Sequence, residues 1–435
     1  MGTLARIFID VYGCSANMAD WEMAAGLLSE AGHSIVSDPE GADAYVVLTC
    51  TVKTPTENKV VKRIRELSEA EGSLVVAGCM PKAQRDLIAE VAPGASMVGP
   101  DDLLSIVDVV ESALAGVRVE AVDGGPLDKS CLPRIRRNPV IHIAPIASGC
   151  LGDCSYCIVK RARGRLHSFP SEMIVEDARR AIEGGCREIW VTAEDTASYR
   201  DGDVRLPGLL DLITELEGRF YVRVGMMTPN QAEPILDDLI EAYRSGKVFK
   251  FLHVPVQSGN DKVLKRMGRR YTVSDFRGLV AKFREAIPDL SLSTDIICGF
   301  PGETEEQFTD SVKLVKEIGP DTLNISRFWP RPGTEAAELD GQLHGRETKG
   351  RSRELSSLWR SLLAERNQSW VGWEGEAVID EEGRDGTMVG RNLAYKPIVV
   401  KSHVILGDVI TVRIVDSKTS YLLGEPVQLR YMKQH

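Results

Sequence analysis

Three cysteines lie within eight residues of the chain, in the run Cys150-Leu-Gly-Asp-Cys154-Ser-Tyr-Cys157. Three thiolates at this spacing can converge on one metal centre. A closed structural zinc site needs a fourth ligand, and the neighbouring His142 and His167 are poorly spaced to supply it. A four-iron cluster held by three thiolates leaves one iron free to bind a small molecule. The spacing therefore favours an iron–sulfur cluster over a zinc site.

Residues 140–330 alternate between short β-rich runs and amphipathic helical stretches. This alternation is typical of parallel strands with right-handed crossovers, and such folds place their chemistry at the carboxyl ends of the strands. The cysteine motif directly follows the first predicted strand. We therefore predict a partial (β/α)6 barrel with the cysteines at its mouth. The predicted strands are IHIAPIASG, REIWVTAE, YVRVGMM, FKFLHVPV, LSLSTDII and DTLNISRF.

Polar residues and glycines occur at the ends of three of these strands, at the edge that carries the cysteines. Each has a structural alternative, because Thr304 and Gln307 fit a helix capping box and the glycines fit tight turns. Their common position at one edge favours a ligand site. The candidate residues are Glu194, Gln257, Asp295, Gly299 and Gly302.

The first 120 residues form a separate pattern, which predicts an open, flavodoxin-like α/β domain. Cys14, Cys50 and Cys79 each come at the end of a predicted strand, so a parallel sheet would bring all three to one edge. Buried cysteine is also a common small hydrophobic residue. Because the three positions are equivalent, we predict a second three-thiolate cluster. Cys131, Cys186 and Cys298 have no such company and are predicted to be inert.

The C-terminal residues 371–432 show short alternating strands separated by glycine-containing turns, typical of a small all-β barrel. The predicted strands are EGEAVID, YKPIVV, DVITVRIVD and VQLRYM. Basic residues lie on or beside them together with Tyr395 and Tyr421, a combination that suits phosphates and unstacked bases of RNA. The alternative is a purely structural cap. An amphipathic helix over 347–370 is predicted to precede this barrel.

The net charge of −10 argues against a nucleic-acid partner, but its distribution does not. Residues 131–170 carry a local charge of +6, and residues 384–435 carry +4. Two basic areas on a repelling surface would restrict where a polyanion can dock. The residues predicted to contact RNA are Arg134, Arg136, Arg137, Arg163, Arg165, Arg391, Lys396 and Lys401.

The chain of 435 residues is expected to form about three domains. No apolar run reaches the length of a membrane span, and Asp10 interrupts the region where a signal peptide would be apolar. Nine cysteines, an odd number, argue against a disulfide framework. We therefore expect a cytoplasmic protein with no membrane partner.

The CxxxCxxC motif with Tyr156 before its last cysteine resembles the signature of the radical S-adenosylmethionine (SAM) superfamily. Together with the N-terminal cysteine domain and the C-terminal basic barrel, the whole chain resembles the methylthiotransferase family, which ends in a TRAM domain. The motifs around Cys14, Cys50 and Cys79 are similar to the archaeal and eukaryotic branch that acts on threonylcarbamoyladenosine. The corresponding domains would span residues 1–120, 139–368 and 369–435, with a linker at 121–138.

This resemblance implies methylthiolation of C2 of N6-threonylcarbamoyladenosine at position 37 of tRNA. It implies two [4Fe-4S] clusters, on Cys14, Cys50 and Cys79 and on Cys150, Cys154 and Cys157, with the second cleaving SAM. The SAM pocket would include Tyr156, Glu194, Gln257, Asp295, Gly299 and Gly302. The anticodon arm and an electron donor would be partners of a monomer. The alternatives are another methylthiotransferase substrate (isopentenyladenosine in tRNA or a ribosomal protein aspartate), or a non-catalytic RNA-binding protein with zinc or an iron–sulfur cluster.

Overall fold

A six-stranded parallel sheet forms the centre of the N-terminal region in the computed structural model, which describes residues 4–427. Its strand order, β2-β1-β3-β4-β5-β6, begins with the 2-1-3-4-5 order of flavodoxin-like sheets. The apolar runs of β3 and β4 are buried on both faces because helices cover both sides. The elements are β1 Arg6–Val11, α1 Ser15–Glu30, β2 Ser34–Val36, β3 Ala44–Thr49, α2 Thr54–Ser68, β4 Ser73–Gly78, α3 Cys79–Ala83, α4 Arg85–Val91, β5 Ser96–Val98, α5 Ile106–Leu114 and β6 Glu120–Ala121.

Six parallel strands with helices outside them form the core region, as the sequence predicts. Hydrogen bonds join them into two sheets, β7-β10-β13 and β14-β15-β16, and the bridge Val222↔Val248 marks the junction between β13 and the segment before β14. The first elements are β7 Ile141–Pro145, β8 Ala147–Ser148, α6 Val159–Arg163, β9 His167–Ser168, α7 Ser171–Glu183, β10 Glu188–Thr192, β11 Arg200–Asp201, β12 Val204–Arg205, α8 Leu206–Thr214 and β13 Tyr221–Val224. The rest are α9 Pro229–Ala232, α10 Leu236–Arg244, β14 Phe251–His253, α11 Asp261–Arg266, α12 Val273–Ala286, β15 Ser291–Cys298, α13 Glu305–Ile318, β16 Thr322–Arg327, α14 Glu335–Glu338 and α15 Gly345–Gln368.

A closed five-stranded barrel follows α15, in the order β17-β18-β19-β21-β20. Its strands are β17 Glu374–Glu382, β18 Met388–Asn392, β19 Pro397–Val400, β20 Val409–Ser417 and β21 Leu422–Pro426. The sequence patterns predict β17, β19 and β20 but miss β18 and β21. The predicted strand VQLRYM lies outside the described residues from its second position onward. The mixed α/β fold with a terminal barrel is the predicted fold class.

The barrel packs against the core through aromatic side chains. The Tyr395 ring lies 4.7 Å from the Phe249 ring and 5.2 Å from the Phe251 ring, centroid to centroid. The Lys250 amide donates a 2.7 Å hydrogen bond to the Leu393 carbonyl, so the contact includes the backbone. No helix within residues 4–427 combines the length and apolar character that crossing a bilayer requires.

Candidate active site

The loop that carries Cys150, Cys154 and Cys157, called here the core trio, follows β8 at the carboxyl end of the barrel strands. The Cys157 amide donates to the Cys154 carbonyl at 3.1 Å, which closes a turn between these two cysteines. A second segment holds the loop from outside, since the Ser155 amide donates to Met267 O at 3.0 Å and its hydroxyl donates to Arg266 O at 2.9 Å. The loop is therefore fixed by the fold.

Gly152 lies between two sulfurs of the core trio. Its amide donates to Cys150 Sγ at 3.2 Å. A Cβ on this residue would lie 3.3 Å from Cys150 Sγ and 3.6 Å from Cys154 Sγ. A side chain at this position would therefore crowd the sulfurs, and glycine keeps the space beside them open.

Arg269 supplies a positive charge to this trio that the sequence pattern does not predict. Its Nη1 donates to Cys154 Sγ at 3.2 Å, and its Nε donates to the Tyr271 hydroxyl at 2.9 Å. Tyr271 is itself fixed by donating to backbone carbonyls of Pro255 and Val256. Because a cation stabilises thiolate over thiol, the pair fits an anionic metal–thiolate group.

Cys14, Cys50 and Cys79, called here the N-terminal trio, come together at one edge of the first sheet. Their strands β1, β3 and β4 are adjacent and parallel, so the three carboxyl ends meet. Gly13 has a φ of +124°, and a Cβ there would lie 2.8 Å from Cys50 Cβ. The loops before Cys14 and after β3 are thus in close contact. Cys14 is exposed, whereas Cys50 and Cys79 are buried.

Asn17 lies at the centre of this edge. Its Nδ2 donates to the carbonyls of Tyr12, at 2.7 Å, and Thr49, at 2.8 Å. Its Oδ1 therefore faces the other way and accepts from Cys79 Sγ at 3.7 Å. The amide thus links the three loops. The sequence alone gives Asn17 no role beyond its place in the motif after Cys14.

The two trios are neighbours across the boundary between the N-terminal region and the core. Helix α6, which begins two residues after Cys157, packs against α3, which begins at Cys79. Cys79 and Ala83 form a buried cluster with Ile158 and Ala162. Each trio therefore lies at one side of a single helix–helix contact.

Both trios fit iron–sulfur clusters. Burial raises the pKa of the Cys79 and Cys157 thiols to about 12, so each gives up a proton when a metal binds. No three His, Cys, Asp or Glu side chains in residues 4–427 converge as one metal ion would require. Cluster thiolates each bind a different iron, so they need no common point.

Two acidic residues follow β10 near the core trio. Glu194 Oε1 lies 3.3 Å from Arg163 Nε, and its buried Oε2 has no hydrogen-bond partner among the described residues. Asp195 accepts from the Thr228 amide at 3.0 Å and from the Thr228 hydroxyl. Burial raises the pKa of Glu194, partly offset by Arg163. The unpartnered oxygen of Glu194 can accept from a ligand.

Asp295 and His253 form a pair on neighbouring strands. His253 Nε2 and Asp295 Oδ1 lie 2.9 Å apart, and Asn324 Nδ2 donates to the same oxygen at 2.7 Å. Burial raises the pKa of Asp295, but the bond to His253 and then the bond from Asn324 more than offset it, so the pKa lies below its ordinary value. Asp295 is therefore a carboxylate at neutral pH.

The remaining predicted pocket residues have clear structural roles. Gln257 has a φ of +71° and bonds through its backbone to Asp295 and Ile297. A Cβ on Gly299 would lie 2.3 Å from Thr348 Cγ2, and one on Gly302 would lie 2.6 Å from Arg266 Nη1. The capping box of Thr304 and Gln307 is present. Tyr156 packs edge-on against Phe300. The φ angles of +78° at Gly299 and +70° at Gly302 favour glycine at both positions without a ligand.

The predicted RNA contacts divide into inward-facing and exposed residues. Arg163 and Lys396 are 5% exposed and Arg134 is 4% exposed, so none of the three is available to RNA in this structure. Arg134 pairs with Asp177, Lys396 with Asp321, and Arg391 with Asp380. Arg136 is half-buried. The exposed members of the set are Arg137, Arg165 and Lys401.

Arg331, in the Pro-Arg-Pro-Gly segment after β16, is a second site residue that the sequence pattern does not predict. Its buried guanidinium donates to the hydroxyls of Thr54, at 3.0 Å, and Thr51, at 3.1 Å, and pairs with Glu57. These residues lie in the loop and helix that follow Cys50. A core residue therefore fixes the loop of the N-terminal trio.

Three family models match successive parts of the chain. Residues 145–315 match the Radical SAM superfamily, residues 6–99 match "Uncharacterized protein family UPF0004", and residues 368–427 match the TRAM domain. These matches agree with the resemblance found in the sequence.

Relatives match along almost the whole chain. A probable threonylcarbamoyladenosine tRNA methylthiotransferase of Pyrococcus abyssi is 44% identical over 431 residues, covering 97% of this chain and 99% of that protein. A human threonylcarbamoyladenosine tRNA methylthiotransferase is 36% identical over 439 residues, covering 98% of this chain and 74% of that protein.

Solved structures agree in fold. The radical SAM methyltransferase TsrM of Kitasatospora setae aligns with a TM-score of 0.56 at 14% identity, covering 77% of this chain and 74% of that chain. The radical SAM enzyme OxsB aligns with a TM-score of 0.51 at 9% identity, covering 82% of this chain and 56% of that chain. At such identities the likeness concerns fold alone. Given the full-length relatives, the chain belongs to the threonylcarbamoyladenosine tRNA methylthiotransferase family, with a radical SAM core and a TRAM domain.

Proposed function

We propose that the protein transfers a methylthio group to C2 of N6-threonylcarbamoyladenosine at position 37 of tRNA. The observation that carries this proposal is the packing of Cys79 against Ile158 and Ala162, which puts the two cysteine trios on either side of one contact. The reaction first removes a hydrogen atom from an unactivated carbon and then adds sulfur to that carbon. It therefore needs a radical source and a sulfur source beside the same substrate atom. The names of the full-length relatives supply the substrate class.

We propose one [4Fe-4S] cluster on each trio. When bound, the cluster on the core trio supplies the electron that reductively cleaves SAM, and the cluster on the N-terminal trio holds the sulfur to be transferred. The chain's own residues orient these groups: Arg269 stabilises the thiolate of Cys154, and Asn17 links the loops of Cys14, Cys50 and Cys79.

The SAM pocket is proposed to lie between the core trio and the ends of β10 and β15. Glu194, whose buried Oε2 has no hydrogen-bond partner within residues 4–427, can accept from the amino group or a ribose hydroxyl of SAM. The carboxylate of Asp295 lies on a neighbouring part of the same mouth and is oriented by His253 and Asn324. Gln257, Gly299 and Gly302 shape the loops around it, and Tyr156 packs beside the last cysteine.

The tRNA is proposed to dock on the exposed basic residues Arg137, Arg165 and Lys401. The matched TRAM domain supports an RNA partner. We propose the domain division 1–120, 139–368 and 369–435, with a linker at 121–138. The protein is further proposed to act in the cytoplasm as a monomer, reduced by a separate electron donor.

Replacing the core trio tests the first part of the reaction. The variant C150A/C154A/C157A should bind tRNA with the parental affinity and produce no deoxyadenosine from SAM. The matched control is C131S, because Cys131 is half-buried and lies outside both trios. Deoxyadenosine formation by the triple variant would refute the assignment of this trio.

Replacing the N-terminal trio tests the second part. The variant C14A/C50A/C79A should cleave SAM without forming methylthio product. Product formed at the parental rate would refute the second cluster. A colourless, zinc-containing protein after anaerobic preparation would instead favour a non-catalytic RNA-binding protein.

Nucleoside analysis tests the substrate. Mass spectrometry of tRNA from a strain lacking the gene should show threonylcarbamoyladenosine without its methylthio derivative, and the gene should restore the derivative. Loss of methylthiolated isopentenyladenosine, or of a modified ribosomal protein aspartate, would identify another substrate.

A further inference from the structure

Arg163 is a core residue whose side chain ends inside the N-terminal region. Its Nη2 donates to Asn17 Oδ1 at 2.7 Å and to Asp20 Oδ2 at 2.8 Å, and its Nε lies 3.3 Å from Glu194 Oε1. The guanidinium is thus buried between the two regions. Its partners leave it little freedom to move.

The partners of Arg163 are themselves fixed. Asn17 donates both hydrogens of its amide to backbone carbonyls, so Oδ1 can face only the side of Arg163 and Cys79. Asp20 is buried and also pairs with Lys129 at 2.6 Å. The positive charge is therefore held at a set position beside the N-terminal trio.

The ion pairs alone do not explain why a charge is buried here. Asp20 already has Lys129 as a counter-ion. Burial raises the pKa of Glu194 and so favours its neutral form. Because the desolvation of buried ions offsets much of their attraction, a buried ion pair is weak evidence of a stabilising role. Besides Asp20 and Glu194, Arg163 faces the thiols of Cys79 and Cys14, which become anionic when they bind metal.

An iron–sulfur cluster with three thiolate ligands is anionic and gains negative charge on reduction. A fixed cation close to such a cluster favours the reduced form, and nearby charge is one of the factors that set a cluster's reduction potential. Arg163 also connects the two trios along the chain. It follows Cys157 of the core trio by six residues, and it ends the helix that packs against Cys79 of the N-terminal trio.

We propose that Arg163 is a positioning residue of the N-terminal trio, where its fixed charge raises the reduction potential of the cluster that Cys14, Cys50 and Cys79 hold. This inference rests on the second cluster of the proposed function. It makes the N-terminal metal site a shared site, completed by a residue of the core.

The test uses the full chain in the C150A/C154A/C157A background, where a single cluster remains. Its potential is measured by redox titration followed by electron paramagnetic resonance. R163Q should lower the potential by at least 59 mV, which for one electron is a tenfold change in the reduction equilibrium. R163K keeps the charge and should lie closer to the parent. The control R161Q removes an exposed arginine of the same helix and should leave the potential unchanged.

Each outcome decides. A cluster in R163Q with the parental potential would overturn the role of Arg163 and leave the proposed function intact. Absence of iron and sulfide in the parental background would refute the second cluster, and this inference with it. If R163Q holds no cluster, R163K decides: a cluster near the parental potential supports a role of charge, and its loss there too would show that Arg163 acts through packing alone.

Discussion

Arg331 Nη2 lies 3.1 Å from Thr51 Oγ1, so a residue of the loop after β16 holds the residue that follows Cys50. The same guanidinium pairs with Glu57 and is 3% exposed. Two arginines from the core, Arg331 and Arg163, thus contact residues of the N-terminal region. We therefore expect both arginines to hold the N-terminal trio in place beside the core trio.

Replacing Arg331 by Met should therefore separate the two halves of the reaction. Removing one partner of a buried pair leaves Glu57 uncompensated, and we expect a loss of about 3 kcal/mol in the free energy of unfolding. SAM cleavage should continue while the ratio of methylthio product to deoxyadenosine falls. Denaturant unfolding and product analysis measure these two effects. The double variant R331M/E57Q should recover part of the stability, and equal stability of R331M and parent would contradict the role.

Arg269 and Arg270 offer a matched pair of substitutions beside the core trio. Arg269 donates to Cys154 Sγ, whereas Arg270 is 67% exposed and pairs with the exposed Asp153. Outer-shell partners of metal ligands typically contribute about 10- to 100-fold to metal affinity. We expect R269M to lose its cluster to a chelator at least tenfold faster than the parent, as measured by bleaching of the visible absorption. R270M should behave as the parent, and equal rates for both variants would exclude a role for Arg269.

Strand pattern and cysteine spacing predict much of this fold because both are local signals. All six core strands, the positions of Cys14, Cys50 and Cys79 after their strands, and the cap at Thr304 follow from short runs of sequence. The pattern misses strands β18 and β21, each of which is interrupted by a glycine.

Side-chain direction cannot be predicted in the same way. Local charge assigns Arg134, Arg163 and Lys396 to RNA, yet they face inward. Their carboxylate partners lie 43, 143 and 75 residues away in sequence. Such partners become visible only when the regions pack together, and the same holds for the contacts of Arg269 and Arg331.

Glu188 should make stability depend on pH at the contact between core and barrel. It is fully buried close to Asp380, and its Oε2 accepts from Trp190 Nε1 at 2.8 Å. Burial, and then the charge of Asp380, raise the pKa of Glu188 well above its ordinary value of 4.5. Above pH 4.5 the unfolded chain releases this proton while the folded chain keeps it, so Glu188 lowers stability progressively as pH rises.

The variant E188Q should remove this dependence. Its stability relative to the parent should rise between pH 5 and pH 8 in urea unfolding, because Gln carries no proton to lose. The control E381Q changes an exposed carboxylate next to Asp380 that pairs with Arg391, and it should not show the rise expected of E188Q. If the stabilities of E188Q and the parent change equally with pH across this range, Glu188 is ionised in the folded protein.

The exposed cations should determine the salt dependence of tRNA binding, and the inward-facing ones should not. Each bound phosphate releases condensed counter-ions, so log affinity decreases as log salt concentration rises. This negative slope becomes shallower by about 0.7 to 0.9 for each phosphate that a variant no longer binds. If Arg137, Arg165 and Lys401 each bind a phosphate, the variant R137A/R165A/K401A should make that slope shallower by about 2 to 3.

The matched control R277A removes an exposed arginine of helix α12, where it pairs with Glu317, and should leave the slope unchanged. Filter binding at several salt concentrations measures it. An unchanged slope in the triple variant, with reduced slope in R134A or K396A, would place the tRNA on a different face.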